Sequence, residues 1–482
     1  MSIKKVSLFK PLNSIIAVVL MLGLGQLSPI GGITPLGMQI LGIFVGVIWG
    51  WCTVDLIWPS ILALLILGGT TEYMTIPQAI SSIFTNESVL ITMFFMVIAT
   101  MVNECGLGNV IAANLLRARI TAGRPWLFSL LLCYVAVIAT PFIKFAPTVI
   151  LCWSILYNLC DVAGYKKGDK WPTLMVFGII YSVSFSAALV PTYAGNQVNI
   201  GMMTSVYPDA SFQYGGFELL MLVVSFITPI IYILTCKYFL KADVSLLKNV
   251  DLTSFGKDSV TLDKKQKIVV VYFISFIAIL LAQSILPKGF ILTAFLSKLG
   301  TLGIVLIFLV VALLIPVDGK SLMNFQQASQ GIMWSLIIML GTALTLASAI
   351  TAPETNVREV VADLLMPIFG NYSPMLFCFV VFLAGLVLTN FISNGVVAAI
   401  LLPIPLPFCD TLGISPMMLT TLMILATSLA IMLPSASPVG AMLHGNKGWI
   451  SFKEAVSLSV MCMVTYTILT FILFVPLSNL LF

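Results

Sequence analysis

Apolar runs of membrane length leave this chain few ways to fold. Spans are expected near 12–28, 34–53, 55–69, 88–103, 173–201, 218–236, 268–287, 300–317, 332–350, 416–443 and 455–480. A helix needs about 20 apolar residues to cross the hydrocarbon core. Of the 482 residues, 60% are hydrophobic and only 9% are charged, against roughly 25% charged in soluble domains. No ~10-residue alternation marks a β-barrel. The expected fold is an all-α polytopic membrane protein with about 11 transmembrane helices.

Two further stretches, 126–159 and 375–408, are too long for one crossing and too broken for two. Polar or helix-breaking residues sit at their centres: Thr140, Pro141, Lys144 and Pro147 in one, Thr389, Asn390, Ser393, Asn394 and Gly395 in the other. A re-entrant hairpin of two short half-helices fits each. Irregular backbone persists at membrane depth only where protein or a wet cavity satisfies it.

The two stretches are copies. The same offset of 249 residues separates Thr140-Pro141-Phe142-Ile143-Lys144 from Thr389-Asn390-Phe391-Ile392-Ser393, and Cys160-Asp161 from Cys409-Asp410. Met74–Ala79 resembles Met323–Ala328 upstream, and Gly195–Asn199 and Ala436–Gly440 follow in Gly/Pro-broken helices. Five spans per copy is an odd number, so the second copy is expected to be inverted. Paired, interrupted segments in two halves are the best sequence pointer to a transport site. The expected division is an anchor helix (1–33), a first repeat (34–236), a linker (237–267) and a second repeat (268–482).

With the N-terminus inside, 19 of the 23 basic residues fall on the cytoplasmic side, the positive-inside pattern. Lys288, Lys298 and Arg358 fall outside, and Lys144 is left at membrane depth. The C-terminus is then external, and a bacterial inner (plasma) membrane is the expected location. The linker, with seven Lys and four Asp, reads as a solvated cytoplasmic loop. The net charge of +5 reflects such loops, so no nucleic-acid partner is expected. Met1–Lys10 is basic, but no small-residue cleavage site follows, which reads as a retained anchor rather than a signal peptide. Nine scattered cysteines include no CxxC pair. Neither a metal site, a cofactor nor a disulfide framework is expected.

Half-helix N-termini at the hairpin tips expose free N–H groups and a partial positive charge, which can hold an anion. Ser393, Asn394, Thr148 and Ser437, which precedes Pro438, are candidate side-chain donors. The competing reading for each is packing glue between helices. Lys144 is the most specific single residue, because a charge at membrane depth is costly and usually functional. It reads as a fixed cation in an anion site, or else as a lysine that snorkels to the surface. Glu104 is a distant candidate partner. His444, the single histidine, reads either as a proton site or as a helix-end residue.

With these residues in place, the chain resembles the divalent anion:sodium symporter family. Ile392–Ile404 is similar to its second hairpin signature, built on Ser-Asn-Thr followed by small residues and Leu-Pro. Thr427–Gly440 resembles its Ser-x-Ala-x-Met-Leu-Pro-x-Ala-Thr-Pro-Pro-Asn motif, and Glu104–Gly108 its Glu-Lys-Thr-Gly-Leu-Gly turn. The resemblance covers nearly the whole chain. It implies hairpin serines and asparagines that hold substrate carboxylates and flank two sodium sites. It also implies a homodimer in the bilayer working as an elevator.

Carried over by position, Ser393 and Asn394 keep their roles and Ser437-Pro438 stands for Thr-Pro. The departures are specific. Lys144-Phe145-Ala146 replaces the first Ser-Asn-Thr, and Gly395 replaces the second Thr. Asn196 and Asn199 stand within a changed first motif, and Gly440 replaces the last Asn of the second. Substrate contacts are therefore expected at Lys144, Phe145, Ala146, Thr148, Asn196, Asn199, Ser393, Asn394, Gly395, Ser437 and Pro438. Degenerate sodium sites are expected near Lys144 and near Gly395 and Gly440. An ammonium repels sodium, so the expected activity is sodium-independent exchange of di- or tricarboxylates. The alternative is sodium- or proton-coupled symport of a dicarboxylate or sulfate, with Lys144 as a cation mimic or His444 as proton acceptor. An enzyme is not indicated, since the chain lacks HExxH, paired intramembrane carboxylates and a nucleotide loop. Nor does it resemble a channel filter.

Overall fold

The computed structural model describes residues 9–107, 110, 123–186, 189, 193–208, 210, 212–249, 261–285, 291–369 and 372–481. Gly108 and Lys288, and five of the 19 basic residues placed inside (Lys4, Lys5, Arg117, Arg119 and Lys257), lie outside the described residues, as do 187–188 and 190–192 of the expected span 173–201, 286–287 of the expected span 268–287 and 250–260 of the linker.

The protein is all-α. Among the described residues, eight helices are long and apolar enough to cross a membrane, and several shorter apolar helices accompany them. The only strands among those residues form a ribbon pairing Pro316–Val317 with Lys320–Ser321. Each expected span has a helix at its place. Ile291–Leu314 is in fact two pieces, broken at Gly300 with φ 64° and ψ 178°, a conformation that only glycine adopts without strain.

The first hairpin comprises Pro125–Ile143 and Phe145–Ala163. Its two ends meet: the Trp171 indole N–H donates to Ser129 near the start (3.1 Å), and Tyr165, just past the end, packs tilted against Trp171 (5.2 Å). Its arms are not the short half-helices expected, for each has 19 residues. Pro141 falls in the last turn of the outgoing arm, which still runs on to Ile143, and Pro147 falls in the first turn of the returning arm, where the missing N–H costs nothing. The chain therefore reverses at one residue, Lys144.

The second hairpin comprises Pro374–Leu388 and Asn394–Leu401, the latter joined at a 45° bend to 406–412. Phe377 and Phe408 pack at its base (6.2 Å).

Two broken helices link these hairpins in opposite senses. Lys170–Ser186 starts at the base of hairpin 1, and Ala194–Val206 ends where the Tyr207 hydroxyl lies 3.0 Å from Leu406 O and 3.1 Å from the Asp410 carboxylate, at the base of hairpin 2. Pro416–Thr427 starts beside hairpin 2. Pro438–Gly445 returns to the base of hairpin 1, where Trp449 stacks parallel on Tyr157 (4.8 Å, 6°) and its carbonyl accepts from Thr173. The bases of the hairpins thus lie at opposite ends of the bundle, as inverted repeats require.

Candidate substrate site at the hairpin tips

The tip of hairpin 1 rests on the start of helix Ala194–Val206, with Phe145 edge-on to Tyr193 (5.8 Å, 78°). That helix then runs thirteen residues, about 20 Å at 1.5 Å per residue, before it reaches the base of hairpin 2. The tip of hairpin 1 therefore lies about one such helix length from the base of hairpin 2. Hairpin 2 meets the same helix one turn further on: a Cβ at Gly395 would lie 3.7 Å from Val198 and 3.1 Å from Met339. Helix 194–206 is thus the surface on which both tips converge.

Lys144 is exposed at its tip, with φ 76° and ψ 165°. Glycine tolerates this region, whereas other residues pay about 1–3 kcal/mol for it. Its N–H donates to Thr140 O (3.0 Å) and its carbonyl accepts from the Thr148 N–H (3.3 Å). The ion pair among the described residues is Lys264–Asp318, so Lys144 has no carboxylate partner there, Glu104 included.

Hairpin 2 presents a different tip. Ser393 is the N-cap of Asn394–Leu401, yet its hydroxyl caps nothing. Thr389, fully buried, donates to Asn394 Oδ1 (2.9 Å). This bond occupies the amide oxygen of the half-buried Asn394 and leaves its NH2 group as the donor. Position 140, the repeat equivalent of 389, is also threonine, but its hydroxyl bonds back to Ala136 O (2.6 Å).

Several expected donors are already committed. Thr148 is buried and gives its hydrogen to Lys144 O (2.8 Å). Ser437 gives its hydrogen to Ala430 O (2.6 Å) and accepts from the Gly440 N–H (3.0 Å). Asn199 is buried, and its NH2 donates to Gly195 O (3.0 Å), while its Oδ1 has no partner among the described residues. Asn196 is also buried. Ala146 and Pro438 are exposed at the two helix starts. Gly440 admits no side chain, since a Cβ would sit 2.7 Å from Leu433 O.

The second break, 428–437, is an unwound strand of chain made of turns and irregular backbone, not a β-strand and in no sheet. Three side chains satisfy it. Asn390, completely buried, donates to Leu386 O (2.8 Å) and Leu429 O (3.1 Å), and its Oδ1 accepts from the N–H groups of Ile431 (3.1 Å) and Met432 (2.8 Å). Ser437 holds Ala430 O, and His444 Nε2 lies 3.0 Å from Met432 O. His444, read from sequence as either a proton site or a helix-end residue, makes this contact to the unwound segment with its ring packed on Phe452 (5.0 Å). A cavity of about 630 Å³, lined by Pro434, His444, Lys447, Ser451 and Phe452 among others, reaches from the 446–451 loop to this strand. Tyr193, Thr389 and Asn390 were not among the expected site residues. The signal for the last two was their place in a polar-interrupted repeat.

Residues 44–302 and 290–480 match the model of a family described as citrate transporter. The chain is 26% identical over 309 residues to an uncharacterized transporter of Methanocaldococcus jannaschii, a match covering 63% of this chain and 65% of that one. It is 26% identical over 197 residues to the sodium-dependent dicarboxylate transporter SdcS of Staphylococcus saprophyticus (40% and 36% covered). It is 27% identical over 128 residues to solute carrier family 13 member 2 of Oryctolagus cuniculus (27% and 21% covered). The matched stretches thus span 65% or less of the length of these relatives. The crystal structure of the Alcanivorax borkumensis YdaH transporter shares the fold, with a TM-score of 0.58 at 13% identity over 84% of this chain and 86% of that one.

Proposed function

The chain belongs to the citrate transporter family, within the divalent anion:sodium symporters, and on that premise we propose that it exchanges di- or tricarboxylate anions across a membrane without sodium. The observation that carries this reading is the inequality of the two tips. Hairpin 2 offers a carboxylate the Ser393 hydroxyl, the Asn394 NH2 group and the N–H groups at its helix start. Hairpin 1 offers the Lys144 ammonium, without a carboxylate partner among the described residues. The ammonium neutralises one carboxylate and repels a cation. A carrier with a built-in cation is costly to reorient empty, which favours exchange over net uptake.

In this reading the hairpins and broken helices move as an elevator within a homodimer, and the basic loops at the base of hairpin 1 face the cytoplasm. Counterflow into proteoliposomes tests the proposal. Labelled succinate or citrate should enter vesicles preloaded with unlabelled dicarboxylate, at equal rates with and without sodium. Uptake that needs a sodium gradient and ignores the internal anion refutes it.

Sodium-coupled symport is the second reading, favoured by the buried, unpartnered Oδ1 of Asn199, an oxygen of the kind sodium takes. The same assay separates the two.

A further inference from the structure

We infer that Asn390 is a positioning residue: its amide fastens the tip of hairpin 2 to the unwound strand 429–432, so that the substrate-holding tip and the second broken helix act as one body. The inference rests on the reading of hairpin 2 as a substrate-holding element.

The geometry is complete. Asn390 has two N–H donors and one carbonyl oxygen, and all are used: the donors on Leu386 O and Leu429 O, the oxygen on two successive strand N–H groups. One of these bonds stays within hairpin 2, and three cross to the strand. Leu429, Ala430 and Ile431 are buried, so the backbone groups of this unwound segment need protein partners. Without Asn390, two N–H groups and one carbonyl of the strand lose theirs. Asn390 itself is completely buried. It acts through Asn394, four residues on, and through the strand that leads to Ser437 and Pro438. The repeat equivalent of 390 is Pro141, which has neither a side-chain amide nor an N–H. At this repeat position, therefore, hairpin 2 carries an amide clamp and hairpin 1 does not.

Cysteine accessibility tests this without any assumption about substrate. Ile431→Cys places a thiol in the clamped strand, at a position that is buried. Ile180→Cys, buried in helix Lys170–Ser186, is the control. Labelling by a membrane-permeant maleimide is read by mass spectrometry at those positions. With Asn390 intact both thiols should be slow. Asn390→Ala should speed labelling at 431 by at least about tenfold, because several backbone groups lose partners together, and leave 180 slow. Asn390→Asp, which keeps the two acceptor bonds, should fall between, and it decides the question if the alanine variant fails to fold. The half-saturation for succinate should rise in the same order. Equal labelling at 431 in all three proteins overturns the inference. If labelling follows the expected order but no carboxylate is exchanged, the clamp stands and the transport proposal fails.

Discussion

Lys144 combines two properties that mutation can separate: a charge in the site and a backbone that glycine would prefer. With φ 76° and ψ 165°, its conformation costs about 1–3 kcal/mol for a residue with a Cβ. Glycine removes this strain but loses about 0.5–1 kcal/mol of chain entropy on folding. Lys144→Gly should therefore leave stability unchanged or raise it by up to about 2 kcal/mol. Lys144→Gln keeps the strain and should melt like the parent protein.

Both variants remove the charge. A cation about 4 Å from a carboxylate is worth about 1 kcal/mol in bulk water and about 4 at the effective dielectric of a protein surface. Lys144 is exposed, so a value near 2 kcal/mol is used for the proposed contact, which raises the half-saturation roughly thirtyfold. The assay is counterflow with succinate, alongside thermal unfolding in detergent. The surface change Lys453→Ala should alter neither. If Lys144→Gln exchanges succinate with the parent half-saturation, the ammonium is not in the anion site. If Lys144→Gly melts well below the parent, the strained tip is not a cost the fold carries.

Thr389→Val removes the bond that turns Asn394 and should raise the half-saturation about two- to tenfold with little change in folding; unchanged affinity would refute the orienting role. His444→Gln loosens the brace on Met432 O and should cost about 1 kcal/mol of stability while leaving the pH profile of exchange as it was; a pH dependence that vanishes in this variant would instead favour proton coupling. Gly440→Ala drives a Cβ to 2.7 Å from Leu433 O, a backbone atom that cannot swing aside, and should cost about 1–3 kcal/mol together with most of the exchange activity; parent-like uptake would show that the strand yields. Replacing Lys144-Phe145-Ala146 with Ser-Asn-Thr should make succinate uptake rise with sodium, and insensitivity to sodium would refute the explanation offered for its loss.

The apolar runs made the helices legible, because burial in lipid demands them whatever the details of packing. The register of the repeat made the hairpins legible, and the inverted sense of the second copy followed from an odd span count. What could not be read was how the polar residues divide their labour. Thr148, Ser437 and His444 looked like ligands or proton carriers from their types and places. In the fold, backbone claims them first: Thr148 takes Lys144 O, Ser437 takes Ala430 O, and His444 takes Met432 O. A break at membrane depth frees backbone groups, and each of these competes with substrate for the nearest side chain. Hence a sequence that lists donors overstates the site, by the number of donors the breaks consume. Asn390 is the extreme case, a polar residue at the expected place with nothing left for a ligand. Among the described candidate residues, the donors that remain uncommitted include the Lys144 ammonium, the Ser393 hydroxyl and the Asn394 amide. In the proposed reading their number suits an anion with two or three carboxylates, and their division between two hairpins gives each tip only part of it to hold.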